Sequence, residues 1–368
     1  MWVRRANFHI HLWLGLVLAL YLILIGLTGS ILVFRSELEA LTEVNPWRNV
    51  QVSGPVASLT KVVEGLEMNY PGARILSVST PSQAEPVFLA TIQVHHRRVA
   101  VECDAANGRV LGELRRKKSW LTFVQDLHIT LLAGPKGRAI NGVGGALLLL
   151  LNATGMVIWW PGIRVWRRAL TVDWRRRWRR INFDIHSAVG LWTLAIVSFW
   201  ALSGVYFGWS RQVFTLVNRV SPIISAKPPV VHLAPVTNQA TLDLSAIVSR
   251  AYTLDPGASL EGVAFPYSKR APLEIFMRRG KGIGREYMDT LYFNPWDGTY
   301  IQAWRYGVNE SLGDWFIWSQ VPLHHGTYWG LGVKILWASL GLSIPLLTVT
   351  GAILYWNRVL RHRFRRIG

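Results

Sequence analysis

Long runs of apolar residues dominate the pattern of hydrophobic and polar positions along the chain. Four of these runs contain no charged residue and are 22 or 23 residues long. As helices they would measure about 33–34 Å, enough to cross the hydrocarbon core of a bilayer. The first run is too long for the apolar core of a cleavable signal peptide, so we expect it to remain as an anchor. The four predicted spans are residues 12–34, 139–160, 187–209 and 335–356.

Basic residues flank these runs and predict the orientation of the chain. Residues 161–186 carry eight basic and two acidic side chains, and the stretch after Trp356 carries five basic and no acidic ones. Basic segments beside spans stay in the cytoplasm. Both termini and this loop are therefore predicted to be cytoplasmic, and the two long segments to face the outside. Topology and anionic lipid explain the net charge of +19, so we expect membrane lipid and no nucleic acid as a partner.

The two long segments between spans are each large enough for a small folded domain. Alternating β-rich runs at residues 86–94 and 273–277 predict strands, and amphipathic runs at residues 58–69 and 242–252 predict helices. We therefore predict a mainly α membrane protein with two α+β outer domains. Its segments are transmembrane helix 1 (1–34), outer domain 1 (35–138), helix 2 (139–160), a basic cytoplasmic loop (161–186), helix 3 (187–209), outer domain 2 (210–334), helix 4 (335–356) and a cytoplasmic tail (357–368).

The first half of the chain recurs in the second half. Equivalent residues are 175 positions apart in the first span, 185 apart in the outer segment and 196 apart towards the second span. An offset that rises steadily is expected from a duplicated helix–outer domain–helix unit with small insertions in the second copy. The matching residues are His11 and Gly15 with His186 and Gly190, Thr28-Gly29 with Ser203-Gly204, Pro71-Gly72-Ala73 with Pro256-Gly257-Ala258, Leu127-His128 with Leu323-His324, and Thr154-Gly155 with Thr350-Gly351.

Four histidines occupy equivalent places in the two halves, near the ends of the spans. We call His11 and His186, predicted at the cytoplasmic ends, the first pair, and His128 and His324, predicted on the outer side, the second pair. Ionisable residues at membrane depth are rare unless they have a function. Two imidazoles from two helices of a bundle, without a thiolate, are the ligand set of a six-coordinate b-type haem. A two-histidine pair leaves zinc or copper short of ligands.

In this order, the motifs resemble those of the PepSY-associated transmembrane helix proteins, iron-regulated inner-membrane proteins that include the FoxB-type siderophore reductases. The resemblance covers almost the whole chain. It implies four membrane helices, two periplasmic PepSY-like domains, two haem b groups and reduction of ferric siderophores on the periplasmic side. By motif position, His11 and His186 would be axial ligands of the cytoplasmic haem, and His128 and His324 of the periplasmic one. His9 and His325 are alternate ligands beside these motifs.

Two haems near opposite faces would form an electron path across the membrane. The chain has no GxGxxG fingerprint and no large cytoplasmic segment, so the electron donor is predicted to be membrane quinol or a separate cytoplasmic reductase. Lys334, ten residues after His324, is expected either to reach the membrane surface or to pair with a haem propionate. Basic runs at residues 115–118 and 278–281 are candidates for attracting an anionic chelate.

Other functions are compatible with the same sequence. A PepSY-type membrane-anchored regulator of a periplasmic protease would need no cofactor and would leave the symmetric histidines unexplained. A di-haem cytochrome b could instead pass electrons to another periplasmic acceptor, such as a protein or copper. A transporter fits less well, because the two halves have the same orientation and the spans lack broken, charged segments at the midplane.

Overall fold

The structure, a computed structural model, describes residues 2–42, 56–82, 86–114, 119–160, 162, 166–225, 227–231, 243–280 and 287–360. The chain divides into two compact units. The helical unit comprises Met1–Leu41, Lys118–Leu216 and Gln320–Gly368, and the sheet unit comprises Thr42–Lys117 and Val217–Ser319.

The helices and strands alternate in blocks along the chain. The helices are α1 (Trp2–Val17), α2 (Ala19–Leu32), α3 (Arg35–Thr42), α4 (Leu59–Asn69), α5 (Trp120–Thr130), α6 (Gly134–Trp159), α7 (Trp178–Gly208), α8 (Ser210–Val220), α9 (Leu244–Leu254), α10 (Leu312–His325) and α11 (Gly330–Tyr355), with short 3-10 and π segments at Arg168–Leu170 and Trp356–Leu360. The strands are β1 (Arg74–Ser79), β2 (Val87–Val94), β3 (Arg97–Asp104), β4 (Val110–Glu113), β5 (Ser259–Ala264), β6 (Leu273–Arg278), β7 (Met288–Phe293) and β8 (Tyr300–Trp304).

Three helices, α6, α7 and α11, are long and apolar enough to cross a bilayer. The first predicted span differs, because α1 and α2 meet that criterion only as a pair, bent by 65° at Leu18. The described residues thus hold three candidate spans, or four if the bent pair is one span. Hydropathy carries no information about such a bend. Helices α6 and α7 begin at Gly134 and Trp178, before the predicted Ala139 and Ser187, because polar residues at a span end can continue the helix.

Small residues let the helices of the helical unit approach closely. A Cβ built on Gly145 of α6 would lie 2.7 Å from the carbonyl oxygen of Ala201 on α7. A Cβ on Gly208 would lie 2.5 Å from the Cα of Gly142. No larger residue fits at these contacts, and backbone contact through glycine is common where helices associate in lipid. The buried apolar side chains of this unit include Leu22 of α2.

The two long segments contribute four strands each to one antiparallel sheet. The strand order is β4-β3-β2-β1-β5-β6-β7-β8, and β1 pairs with β5 through Ser77 opposite Ala264 and Val78 opposite Val263. The sequence predicted a separate domain in each segment, whereas the structure groups both segments into one compact unit. The β1–β5 pairing satisfies two strand edges that separate domains would leave exposed.

The elements predicted inside these segments are present. The predicted helices occur as α4 and α9, and each starts where a side chain caps it: Ser58 accepts a hydrogen bond from the Lys61 amide and Asp243 from the Ala246 amide. The predicted strands occur as β2 and β6. Both helices bury apolar side chains against the sheet in one hydrophobic core.

Candidate functional site

The four repeated histidines come together in the helical unit as two pairs. The ring centroids of His11 and His186 are 6.3 Å apart, with an interplanar angle of 83°. The centroids of His128 and His324 are also 6.3 Å apart, with an angle of 61°. All four side chains are half-buried. The residues of each pair are far apart in sequence, so only the packing of the helices brings them together.

The two pairs occupy different kinds of position on their helices. In the first pair, His11 lies within α1 and His186 within the long helix α7. In the second pair, His128 lies in the last turn of the short helix α5 and His324 in the last turn of the short helix α10. The first pair is therefore held by continuous helix, and the second pair lies where a helix ends.

Each of the four imidazoles is hydrogen bonded through Nδ1 to the hydroxyl of a threonine or serine on another helix. In every case that hydroxyl residue belongs to one of the repeated Thr-Gly or Ser-Gly motifs. The Nδ1–Oγ distances are 3.3 Å for His11 with Thr154, 3.0 Å for His186 with Thr350, 2.9 Å for His128 with Thr28 and 2.6 Å for His324 with Ser203.

The hydroxyl contacts assign the tautomer of each histidine. A hydroxyl has a single hydrogen to donate, and each of these hydroxyls donates to a carbonyl oxygen of its own helix. This arrangement favours the hydroxyl oxygen as acceptor from the imidazole, and hence the tautomer with the proton on Nδ1 and the lone pair on Nε2. This is the tautomer that ligates a metal through Nε2. The intrahelical distances are 2.6 Å for Thr28 to Leu24, 2.9 Å for Thr154 to Leu150, 3.0 Å for Ser203 to Trp200 and 2.8 Å for Thr350 to Leu346.

The glycine that follows three of these hydroxyl residues lies against the edge of the imidazole. A Cβ built on Gly29, Gly155 or Gly351 would lie 3.0, 3.0 or 3.2 Å from the Cε1 atom of its histidine. These distances are shorter than an ordinary carbon contact, so a side chain there would have to displace the ring. At Gly204 the atom nearest to such a Cβ, the Cα of Gly145, is 4.0 Å away. A side chain there would not displace a ring, so close contact with an imidazole does not explain this fourth glycine.

The comparison with protein families agrees with these repeated motifs. A family model described as "PepSY-associated TM region" matches residues 8–358. The chain belongs to this family. The matched range contains all four histidines and both outer segments, and it confirms the resemblance to PepSY-associated membrane proteins. The narrower assignment to FoxB-type siderophore reductases stays a prediction.

A curated relative extends the comparison without naming an activity. An uncharacterized protein of Pseudomonas aeruginosa is 25% identical over 267 residues, which cover 65% of this chain and 64% of that protein. The match therefore spans less than two thirds of the relative's length. Its substrates and partners are not part of its description, so they add nothing to the choice among functions within the family.

The alternate ligands lie beside the pairs. His325 is the last residue of α10, is exposed, and has its ring centroid 5.8 Å from that of His324. His9 is exposed on α1, with its ring 5.7 Å from Phe8. Within the described part of the chain, His/Cys/Asp/Glu side chains form no group of three or more that could hold a metal ion.

A longer repeat, which the sequence analysis missed, bears on His9. Residues 4–11 read Arg-Arg-Ala-Asn-Phe-His-Ile-His and residues 179–186 read Arg-Arg-Ile-Asn-Phe-Asp-Ile-His, at the offset of 175. His9 is therefore equivalent to Asp184, which is buried and lies 2.9 Å from Arg180. By this equivalence His9 corresponds to an ion-pair position rather than to the position of His186. Aligning the two halves over these eight residues would have found it.

Lys334 contacts polar side chains near the start of α3. Its Nζ lies 2.6 Å from the Glu37 carboxylate and 3.3 Å from the Ser36 hydroxyl, so its charge has a protein partner. The neighbouring Arg35 was missed from sequence. Its Nη2 lies 3.6 Å from Glu39, while its buried Nη1 has no hydrogen-bond partner among the described residues. A buried guanidinium N–H without an acceptor is costly.

The structure describes part of one of the two basic runs that were candidates for attracting an anionic chelate. Residues 115–118 lie outside the described residues. In the second run, Arg278 lies 2.9 Å from Glu261, and Arg279 forms an ion pair with the buried Asp289. Both described arginines of this run are thus engaged with carboxylates of the sheet unit.

Proposed function

We propose that this protein is an inner-membrane di-haem b oxidoreductase that moves electrons across the membrane to reduce a ferric siderophore in the periplasm and release Fe(II). One observation carries the proposal: two histidine pairs, in each of which both Nδ1 atoms contact hydroxyls and neither Nε2 atom has a hydrogen-bond partner among the described residues. The proposal includes four spans, with α1 and α2 as one bent span, and both termini in the cytoplasm.

The spacing of the imidazoles fits one iron between the rings of each pair. An imidazole nitrogen binds a first-row metal at about 2.1 Å, so two imidazoles on opposite sides of one ion have centroids about 6.4 Å apart. Both observed separations are 6.3 Å. Space for a flat ring is available one turn from the first pair. A Cβ on Gly15 or Gly190 would meet only one leucine within 4 Å, at 3.8 or 3.6 Å.

The residues of the chain have distinct roles in this proposal. His11 and His186 would hold the haem nearer the cytoplasm, and His128 and His324 the haem nearer the periplasm. The threonine and serine hydroxyls fix the rings in the ligating tautomer and raise the basicity of Nε2. When bound, the haems supply one-electron redox chemistry, and the chain tunes it through the axial ligands and burial.

Reduction of one molecule of the ferric chelate consumes one electron. The ferric siderophore accepts the electron and becomes a ferrous chelate, which hard oxygen ligands hold less tightly, so that Fe(II) leaves. A membrane quinol or a separate cytoplasmic reductase is the proposed donor. The resemblance to siderophore reductases is the support for this substrate class. A faster initial reduction of ferric siderophores than of cupric salts by the purified reduced protein would support this substrate class over transfer to another periplasmic acceptor.

A reduced-minus-oxidised visible spectrum of the detergent-purified protein, with haem quantified per chain, tests the cofactor. We expect two b haems in the wild type and one in each of His186→Ala and His324→Ala. His325→Ala is the matched control, an exposed histidine next to a proposed ligand, and should keep two. A colourless protein after haem-replete expression would overturn the proposal and favour the membrane-anchored protease regulator.

Arg35 and Lys334 are both candidates to pair with a haem propionate near the second pair. Arg35 follows α2, the helix whose Thr28 contacts His128, and it has the unpartnered buried N–H. We expect Arg35→Gln to release one haem about tenfold faster, since a charged hydrogen bond contributes about 1.5–3 kcal/mol. Lys334→Gln should stay near the wild-type rate, because Glu37 already matches that charge. Faster release from Lys334→Gln than from Arg35→Gln would contradict this order.

A further inference from the structure

The second histidine pair depends on two helix ends that need outside support. His128 is followed after two residues by Leu131 and Leu132, whose φ angles are 48° and 59°. Leucine rarely adopts this left-handed conformation, so contacts elsewhere must stabilise the turn. His324 is followed by its own turn at Gly326, with a φ of 68°. The last carbonyl groups of both helices also lack intrahelical partners.

Two side chains on the following spans supply donors to these helix ends. On α6, the Asn141 side-chain amide donates to the carbonyl oxygen of His128 itself, at 2.6 Å. The side-chain oxygen Oδ1 of Asn141 in turn accepts from the Tyr21 hydroxyl, also at 2.6 Å. On α11, the Trp337 indole N–H donates to the carbonyl oxygen of Leu323, the residue before His324, at 2.7 Å.

The two donors occupy equivalent positions in the two halves. Asn141 and Trp337 are 196 residues apart, the same offset that separates His128 from His324. An amide and an indole have no chemical resemblance apart from a polarised N–H, and both N–H groups reach the last turn of a histidine-bearing helix. The first pair lies within α1 and α7, where continuous helix holds His11 and His186.

We propose that Asn141 and Trp337 are positioning residues that tether the second histidine pair, and only that pair, in ligating geometry. Their side chains contact the backbone of α5 and α10, so they would act on the haem through the position of the histidines. This inference rests on the proposed function, because it assigns a role to the pair as haem ligands. It predicts that loss of either tether alters one of the two haems and leaves the other as it was.

The test uses the full-length holoprotein and the variants Trp337→Phe and Asn141→Leu. Trp337→Phe keeps an aromatic ring and removes the N–H. The matched control is Trp200→Phe, because the ring of Trp200 lies 6.3 Å from that of Trp337, and its buried Nε1 has no partner among the described residues. The measurements are the rate at which each haem passes to excess apomyoglobin and the electron paramagnetic resonance spectrum of the ferric protein.

We expect Trp337→Phe and Asn141→Leu to release one of the two haems about fivefold faster, the factor for one lost hydrogen bond. The resonance of that haem should shift, the other should not, and Trp200→Phe should match the wild type. The affected haem should be the one that is absent from His324→Ala. Equal rates in Trp337→Phe and Trp200→Phe, or equal effects on both haems, would overturn the tether.

A failure of the proposed function is visible separately, as a wild-type protein without haem. In that case the tether is measured on the apoprotein by amide hydrogen exchange in the last turns of α5 and α10. Faster exchange in Trp337→Phe than in Trp200→Phe would support a tether of the helix end. Equal exchange would refute it.

Discussion

At the scale of single residues, the hydroxyl partner of each histidine distinguishes these imidazoles from ordinary interfacial ones. An interfacial histidine keeps its polar edge in water, whereas each of these rings binds a hydroxyl on another helix through Nδ1. The hydroxyl also lies within hydrogen-bond distance of a carbonyl oxygen one turn back, which favours donation to that carbonyl and acceptance from the ring. Four independent contacts of one kind therefore leave the same nitrogen, Nε2, available at both sites.

Removal of one hydroxyl should weaken one of the two proposed haem sites. Thr350 contacts His186 of the first pair and Ser203 contacts His324 of the second. We expect Thr350→Val and Ser203→Ala each to lower the affinity for one haem by about 10–100-fold, as loss of an outer-shell partner does at metal sites. Haem titration of the apoprotein measures it, and each variant is the control for the other. Unchanged affinity at both sites would show that the hydroxyls play no part.

The glycines after the hydroxyl residues should differ in their tolerance of a methyl group. Gly351→Ala would place a Cβ 3.2 Å from the His186 ring, whereas Gly204→Ala, at the equivalent motif, would meet nothing closer than 4.0 Å. Overpacking costs about 1–3 kcal/mol, so Gly351→Ala should lose affinity for one haem and Gly204→Ala should not. Equal haem affinity in the two variants would contradict the close contact.

The histidines could be found from sequence, while their partners could not. The repeat alone singled out His11, His128, His186 and His324, because equivalent residues share an offset. The Thr-Gly and Ser-Gly motifs were also visible as repeats. The match of His11 with Thr154 could not be read, because the two residues are 143 positions apart and meet only through the packing of α1 against α6.

At the scale of elements, α10 begins with a reciprocal cap. Ser311 accepts from the Asp314 amide at 3.0 Å, and Asp314 accepts from the Ser311 amide, also at 3.0 Å. The same carboxylate accepts from the amide of Ser225 at 2.9 Å and from its hydroxyl at 2.5 Å. Asp314 is fully buried, so these hydrogen-bond donors are needed to stabilise its negative charge. Through them the carboxylate connects the segment after α8 to the start of α10.

The sheet unit should therefore lose stability in acid. Burial raises the pKa of Asp314, but the hydrogen bonds from Ser225 and Ser311 outweigh burial and hold the pKa below its ordinary value of 3.8. A carboxyl with a lowered pKa stabilises the fold fully above its unfolded pKa, and this contribution disappears as the pH falls through the folded pKa. We expect the amide protection factors in the first turn of α10, which compare the exchange rate with the intrinsic rate at the same pH, to fall below about pH 4.

Asp314→Asn isolates this contribution. It should destabilise the first turn of α10 by about 2 kcal/mol at pH 7, because hydrogen bonds to a charged group contribute about 1.5–3 kcal/mol. Its exchange should also depend less on pH below 4 than that of the wild type. The same pH dependence in both proteins would contradict the assignment to Asp314.

At the scale of the whole molecule, the number of spans decides whether the two termini share a side. The described residues allow three spans, or four with α1 and α2 as one bent span. Four spans place both termini on one side, which the basic loop and tail predict to be the cytoplasm. A fluorescent-protein fusion at each end should fluoresce, and an alkaline phosphatase fusion at each end should be inactive. Termini on opposite sides of the membrane would instead indicate three spans, with α1 and α2 not crossing the membrane as one bent span.

The sequence by itself determined the features that depend on local composition and on order along the chain. Apolar runs gave α6, α7 and α11, alternation gave β2 and β6, amphipathic runs gave α4 and α9, and the repeat gave the four histidines. Hydrophobicity and periodicity are properties of neighbouring residues, so they can be read without a fold.

Tertiary structure decided which distant groups meet. It bent the chain at Leu18 between α1 and α2, joined β1 to β5 in one sheet and matched each histidine with its hydroxyl. It also paired Lys334 with Glu37 and left a buried N–H of Arg35 without a partner among the described residues. Each of these depends on helix packing or strand pairing between segments that are separate in sequence. The chemistry proposed for the histidines rests on both levels, because the repeat supplies the ligands and the packing fixes their free nitrogen.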